Sequence, residues 1–173
     1  MVEPPFSSIC DLSNLSDAGA EIAIQPSPEQ RSRIAEWAGL DGVESFAAAV
    51  TLRRSSANRF AYEAELNADI VQTCVVTLEP VRSHMALNIS RALHLTKFLV
   101  RAKFAEHELA PATDEAPEEI QDSHYDLAGP LLEEFTLAID PYPRCPGVAF
   151  EVPDDEDGRE SPFAVLKTLK GPN

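Results

Sequence analysis

An almost unbroken alternation of apolar and polar residues runs from position 59 to position 71 and dictates the local structure there. Every second side chain from Phe60 to Ile70 is apolar, and the positions between them are mostly acidic or amide residues. A period of two places alternate side chains on opposite faces of a β-strand. The stretch therefore predicts a long strand with one buried face and one solvated face, which is typical of an antiparallel sheet.

Further β-rich runs lie on both sides of this strand. The run 43–52 comes before it, and the mostly polar residues 53–58 between the two are typical of a hairpin loop. We predict four strands, at 20–24, 43–52, 59–73 and 81–95. The interval 91–105 also fits a helix that carries its apolar residues on one face, so strand and helix both remain open there.

A first helix is predicted at 27–38 from its boundary residues. Ser27 can accept a hydrogen bond as the N-cap, Pro28 suits the first helical position, and Gly39 favours termination. Trp37 falls on the apolar face of this helix at the spacing of 3.6 residues per turn. We expect Trp37 to be a core anchor.

A second helix is predicted at 126–140. Its apolar residues recur at helical spacing, and either Asp126 caps it or it starts at Pro130, because proline is tolerated only in the first turn. The Asp140-Pro141 pair should end it, since the residue before a proline disfavours the helical conformation.

These elements predict one α+β domain over residues 1–173, with an antiparallel, strongly curved sheet packed against two main helices. Residues 106–123 are rich in acidic residues and proline and offer little apolar surface to bury. Such a segment does not offset its own conformational entropy, so we expect a mobile acidic loop there. Residues 152–160 form a second acidic stretch near the end of the chain.

Charge is distributed unevenly along the chain, whose formal net charge at pH 7 is -15. Residues 51–103 contain eight basic and four acidic residues, whereas residues 104–143 contain eleven acidic residues and no basic one. The total argues against a surface that binds nucleic acid all over, but the basic middle can still neutralise phosphates. The alternative is that these cations balance the acidic loop within the molecule. The candidate RNA- or partner-binding residues are Arg53, Arg54, Arg59, Arg91, Lys97, Arg101 and Lys103.

Motifs for catalysis or phosphate binding are absent from the sequence. The four histidines are scattered outside any nucleophile or metalloprotease motif, and no glycine-rich phosphate loop occurs. We therefore predict no enzymatic activity, no catalytic residue and no cofactor. Three widely spaced cysteines, with no signal-like or membrane-spanning apolar run, indicate a cytoplasmic protein.

Three segments carry a resemblance to a known family. The first is Cys-Val-Val-Thr-Leu-Glu-Pro-Val from Cys74, the second spans 137–143 and the third spans 161–170. In this order they resemble the bacterial YceD family, the large ribosomal RNA subunit accumulation proteins. The positions that carry the resemblance are Cys74, Thr77, Leu78, Glu79, Pro80, Pro141, Tyr142, Pro143, Pro162, Phe163, Leu166 and Lys167.

The resemblance also bears on metal binding. Some members of the family carry a Cys-x-x-Cys at the position of Cys74 and a second cysteine group near that of Cys145, a spacing that suits tetrahedral zinc. Here Thr77 takes the partner position and Cys145 has no close cysteine companion. We therefore predict no metal, and interpret Cys74 as a small apolar residue at a strand end.

The resemblance implies a non-enzymatic accessory factor in large ribosomal subunit biogenesis, which supports the accumulation or processing of large-subunit RNA. Its expected partner is precursor large-subunit ribosomal RNA. The acidic loop and tail favour an alternative, a chaperone-like protein that binds a basic ribosomal protein or processing factor, because ribosomal proteins are mostly basic.

Overall fold

A five-stranded sheet forms the centre of the computed structural model, which describes residues 4–16, 18–96 and 117–149. The strands are β1 (Ile9–Asp11), β2 (Ala20–Ile24), β3 (Gly42–Ser56), β4 (Arg59–Thr73), β5 (Pro80–Leu95), β6 (Glu118–Ile120) and β7 (His124–Asp126), and the helices are α1 (Pro28–Ala38) and α2 (Ala128–Ala138). The order in the sheet is β2-β3-β4-β5-β6, and every neighbouring pair is antiparallel except β5 and β6. A separate two-stranded ribbon pairs β1 with β7.

One face of the sheet is buried and the other is open to solvent. The buried side chains from the sheet, both helices and β7 form one apolar cluster, in which the rings of Phe46 and Phe135 meet edge to face at 5.4 Å. The opposite face exposes small, amide and charged side chains from the long strands, such as Glu65 and Asn88, which are register partners. We call this second surface the open face.

The four predicted strands are confirmed, and β5 starts one residue earlier than expected. The predicted end of β3 is wrong, because the strand continues through residues 53–56, which were expected in the hairpin loop, and pairs with the start of β4. The alternation in β4 buries the even-numbered side chains from Phe60 to Ile70, as its pattern requires. In the open interval 91–105, residues 91–95 belong to β5, and residues 97–105 lie outside the described residues.

The first helix is confirmed with its predicted N-cap. Ser27 accepts a hydrogen bond from the Gln30 N–H, the Gln30 side chain accepts one from the Ser27 N–H, and Gly39 follows the last turn at φ 68°. The prediction for Trp37 is wrong, because this side chain is 37% exposed. The buried face of the helix is formed by Ile34 and Ala35, with Ala38 partly buried, and Trp37 lies beside this face.

The second helix is confirmed and begins at Ala128. Asp126 accepts hydrogen bonds from the N–H groups of Ala128 and Ser8, so its carboxylate satisfies one free donor at the helix start and also holds the N-terminal segment. Pro130 lies in the first turn, where its missing N–H costs nothing.

Two features of the predicted architecture are corrected. The sheet is not strongly curved. Its β4–β5 register is unbroken over fifteen residue pairs, and the register shifts of β3 lie near its ends, so the bulges that bend sheets are missing from its middle. In the predicted acidic loop, Glu118–Ile120 is a strand beside β5, because buried Ile120 anchors it and its carbonyl accepts from the Thr96 N–H. The rest of that loop up to residue 116, and the stretch 152–160, lie outside the described residues.

Among the described residues, neither helix is long and apolar enough to span a membrane.

Candidate partner-binding site

The arginines of the predicted cationic patch fall into two groups. Arg53 and Arg59 lie near the end of the β3–β4 hairpin with exposed side chains, and neither forms an ion pair with another described residue. Arg53 is the register partner of Ala61, which places both arginines on the open face. Within the described part of the chain, no carboxylate is paired with either arginine, and the alternative that the acidic loop balances them is not tested because most of that loop lies outside the described residues.

Arg54 points to the opposite side of the sheet and is already occupied. Its Nη2 donates to the carbonyl oxygens of Leu12, Ser13 and Leu15 at 3.0, 3.3 and 3.1 Å. The guanidinium also lies 5.1 Å from the centre of the Phe60 ring. Arg54 therefore holds the N-terminal segment against the hairpin.

Arg91 is held by two glutamates of α2. Its Nη2 lies 2.9 Å from Glu134 Oε1 and 3.0 Å from Glu133 Oε2. Burial opposes the charge of Arg91, but these two carboxylates and that of Glu118 outweigh it and raise its pKa. Lys97, Arg101 and Lys103 lie outside the described residues. The structure thus brings together two exposed arginines of the predicted set.

The first family-signature segment forms the tight loop between β4 and β5. The Cys74 N–H donates to the Glu79 carbonyl at 2.8 Å, and the Leu78 N–H donates to the Cys74 carbonyl at 3.0 Å. Leu78 adopts a φ of 62°, the left-handed conformation that costs a non-glycine residue about 1–2 kcal/mol. Its side chain is nevertheless 77% exposed, so burial does not compensate for this strain.

The second signature segment is hydrogen-bonded to the first, and we call the place where the two loops meet the junction. The Val75 N–H donates to the Pro143 carbonyl at 2.9 Å, and the Gln72 side-chain amide donates to the Asp140 carbonyl at 2.8 Å. The sequence did not predict this contact, because the two segments lie far apart along the chain. The third segment, including Pro162, Phe163, Leu166 and Lys167, lies outside the described residues.

The Cys74 sulfur lies at this junction. It accepts hydrogen bonds from the N–H groups of Thr77 at 3.4 Å and Cys145 at 3.3 Å. The Thr77 hydroxyl and N–H, opposed by desolvation and aided by the Cys145 N–H, lower the pKa of Cys74 to about 6. Cys145 Sγ in turn lies 3.6 Å from Thr77 Oγ1. The interpretation of Cys74 as an ordinary apolar residue missed this polar environment.

These donors do not fit the zinc site that other members of the family suggest. A structural zinc ion is held by four cysteine or histidine ligands. The junction offers the thiols of Cys74 and Cys145 and the hydroxyl of Thr77, and the described part of the chain has no cluster of three or more potential His, Cys, Asp or Glu ligands.

Three large apolar side chains are exposed on the two loops that meet at the junction. Val75, Leu78 and Tyr142 are 46%, 77% and 69% exposed, and they are three of the six large apolar side chains exposed among the described residues. Arg144 is exposed beside Cys145. Tyrosine and arginine are enriched among residues that dominate binding energies, whereas leucine and valine are under-represented there. We call Val75, Leu78, Tyr142 and Arg144 the signature surface.

A polar row on the open face differs from a hydrolase triad. Ser45 Oγ donates to Asp69 at 2.6 Å, and His84 Nδ1 lies 2.8 Å from the other oxygen of the same carboxylate. The histidine therefore contacts the aspartate and leaves the serine without a base. Both contacts lower the pKa of Asp69.

Comparison with known proteins identifies one family. The family model described as "Large ribosomal RNA subunit accumulation protein YceD" matches residues 62–170, which is more than half of the chain. The match begins within β4 and includes both loops of the junction. No curated protein and no solved structure matches the chain.

Proposed function

The chain belongs to the YceD family, and on that premise we propose that it is a non-enzymatic, cytoplasmic accessory factor in large ribosomal subunit biogenesis. It supports the accumulation or processing of large-subunit ribosomal RNA. The family match over residues 62–170 carries this proposal, because the family name implies involvement in the accumulation of that RNA.

Binding is the mode of action that the geometry supports best. The signature surface exposes apolar side chains on a loop held by backbone hydrogen bonds, and Leu78 keeps a strained backbone with its side chain in solvent. Strain that persists without a packing role favours a functional explanation. Besides the signature surface, Arg53 and Arg59 form a second binding site, which contacts the phosphates of precursor large-subunit RNA.

Replacement of Leu78 by glycine separates function from folding. Glycine adopts φ 62° without strain, so Leu78→Gly should keep or raise the stability of the protein. If the signature surface is required, the same variant should fail to restore the ratio of large- to small-subunit RNA in a deletion strain. Leu137→Ala, at an exposed leucine on α2, is the control and should complement. An unchanged RNA ratio in the deletion strain itself would contradict the proposed function.

A second candidate function is the binding of a basic ribosomal protein or processing factor. Glu21, Glu63 and Glu65 are exposed on the open face, and none of them forms an ion pair with a described residue. A basic partner would complement these charges. Capture of tagged protein from growing cells, with and without ribonuclease, distinguishes the candidates. Precursor RNA lost together with the captured proteins supports RNA binding, whereas a basic protein retained after ribonuclease supports the second function.

A further inference from the structure

Two thiols from distant parts of the chain meet at the junction of the signature loops. Cys74 directly follows β4, and Cys145 lies seven residues after α2. The Cys145 backbone N–H donates to the Cys74 sulfur at 3.3 Å, so the two residues are direct neighbours. Each of these residues is a free cysteine.

We propose that Cys74 and Cys145 form a thiol-modification site, in which Cys145 reacts with a small disulfide such as glutathione disulfide and Cys74 then closes a Cys74–Cys145 cross-link. This inference goes beyond the proposed function, because it concerns covalent chemistry at the junction. It does not require that the partner be RNA or protein.

Burial sets the order of the two steps. Cys74 has no exposed surface, so glutathione disulfide has no access to its sulfur. Cys145 is partly exposed, so glutathione disulfide can reach its thiol first. Once Cys145 carries glutathione, Cys74 attacks within the molecule and needs no access from solvent.

The proposed reaction balances without a further oxidant. The Cys145 thiolate attacks one sulfur of glutathione disulfide, the S–S bond of glutathione breaks, and one glutathione leaves with the proton lost by Cys145. The Cys74 thiolate then attacks the Cys145 sulfur and releases the second glutathione. Two cysteine thiols are oxidised by two electrons, and one glutathione disulfide is reduced to two glutathione molecules.

The surroundings of Cys74 favour the second step. Its sulfur accepts two backbone N–H groups, which stabilise a thiolate in a site that solvent does not reach. The lowered pKa of Cys74 agrees with this geometry. A thiol of low pKa is also a good leaving group, so the cross-link should be readily reversed by glutathione.

Cys10 provides an internal comparison. It lies in β1, and burial followed by the charge of Asp11 raises the pKa of its thiol. Cys10 is partly exposed like Cys145 but has no described cysteine beside it. It should therefore react slowly and form no intramolecular cross-link.

Mass spectrometry of the folded full-length protein tests the proposal. Glutathione disulfide is added at pH 7.5, remaining thiols are blocked, and digested peptides are mapped over time. We expect a Cys145 adduct first and then a Cys74–Cys145 peptide, with a rise of roughly 5 °C or more in the thermal midpoint because the cross-link closes a long loop. Addition of reduced glutathione should reverse both changes.

Variants make the result decisive. Cys145→Ser should abolish the cross-link and leave Cys74 unmodified, whereas Cys10→Ser should change nothing. Circular dichroism of each variant confirms folding, and the Cys145→Ser side chain remains at a partly exposed position. The proposal is overturned if no Cys74–Cys145 peptide forms, if it forms only in denaturant, or if Cys10 is modified first.

Discussion

At the scale of single residues, Cys74 shows how local backbone geometry changes the chemistry of a side chain. A cysteine inside an apolar sequence is expected to behave as a small hydrophobe. The tight loop after β4 instead directs the N–H of Thr77 at its sulfur, and the loop after α2 adds the N–H of Cys145. The residue is buried, as expected, but it is not apolar in character.

The titration of Cys74 gives the first prediction. Its pKa is about 6 in the folded protein, against an ordinary value of 9.0. The stabilising effect of the thiolate is therefore complete above pH 9 and is lost as the pH falls through 6. Thiolate absorbance at 240 nm, measured on a variant with Cys10 and Cys145 replaced by serine, should titrate well below pH 8. In guanidinium chloride the midpoint should return to the ordinary range.

Removal of the Thr77 hydroxyl supplies the matching control for that titration. Thr77→Val keeps the shape of the side chain and the backbone N–H but removes the largest contribution to the low pKa of Cys74. We expect the absorbance midpoint to rise toward the ordinary value. An unchanged midpoint would show that the hydroxyl has no part in stabilising the thiolate.

Arg91 and Arg59 should respond differently to the same substitution. Arg91→Met leaves Glu133 and Glu134 without their cation beside the core and should lower the free energy of unfolding by roughly 1–2 kcal/mol. Arg59→Met removes an exposed side chain and should change it by less than about 0.5 kcal/mol. Urea denaturation measures both values. Equal losses would contradict the structural role assigned to Arg91.

At the scale of secondary structure elements, the sequence identifies what is local. The long strands and both helices can be predicted from periodicity and from residues that begin or end an element, such as the alternation in β4 and the cap at Ser27. The strands β1, β6 and β7 have only three residues each, too few to show a period. They exist because of distant partners, as when Cys10 pairs with Tyr125.

The contact between the two signature loops could not be predicted for the same reason. The resemblance selected both loops, but their contact becomes visible only in the tertiary structure, through hydrogen bonds such as the one from Val75 to Pro143. Likewise the seven cationic candidates are equivalent in sequence, and only the tertiary contacts of Arg54 and Arg91 separate them from the exposed pair.

The β1–β7 ribbon provides a third prediction, on pH dependence. His124 Nδ1 lies 3.0 Å from the Asp122 carboxylate, which raises the pKa of His124 above 6.5, and Asp11 adds a smaller effect. A raised histidine pKa stabilises the ribbon fully below the unfolded value, and this effect is lost as the pH rises through the folded value. NMR titration should show the shift, and Asp122→Asn should reduce it. Glu63→Gln, on the distant open face, should leave it unchanged.

At the scale of the whole molecule, the open face combines both signs of charge. Arg53 and Arg59 lie near the hairpin end, while Glu63 and Glu65 follow on the same face of β4. The net charge of -15 repels nucleic acid in general. If the protein binds RNA directly, Arg53 and Arg59 are the described members of the predicted set that are free to contribute, whereas a basic protein would be attracted both by the net charge and by the glutamates.

Reversal of the two charge pairs decides between these partners. If the protein binds precursor RNA directly, Arg53→Glu with Arg59→Glu should weaken binding and lower the slope of log affinity against log salt by about 1.4, since each phosphate contact on a single strand contributes about 0.7. Glu63→Lys with Glu65→Lys should then strengthen it. If the partner is a basic protein, the lysine variant should lose that partner and the arginine replacement should be tolerated. Both pairs are exposed on one face of the sheet, so the two variants are matched for position and for their small effect on folding. Filter binding over a range of salt concentrations measures the first outcome, and ribonuclease-resistant capture measures the second.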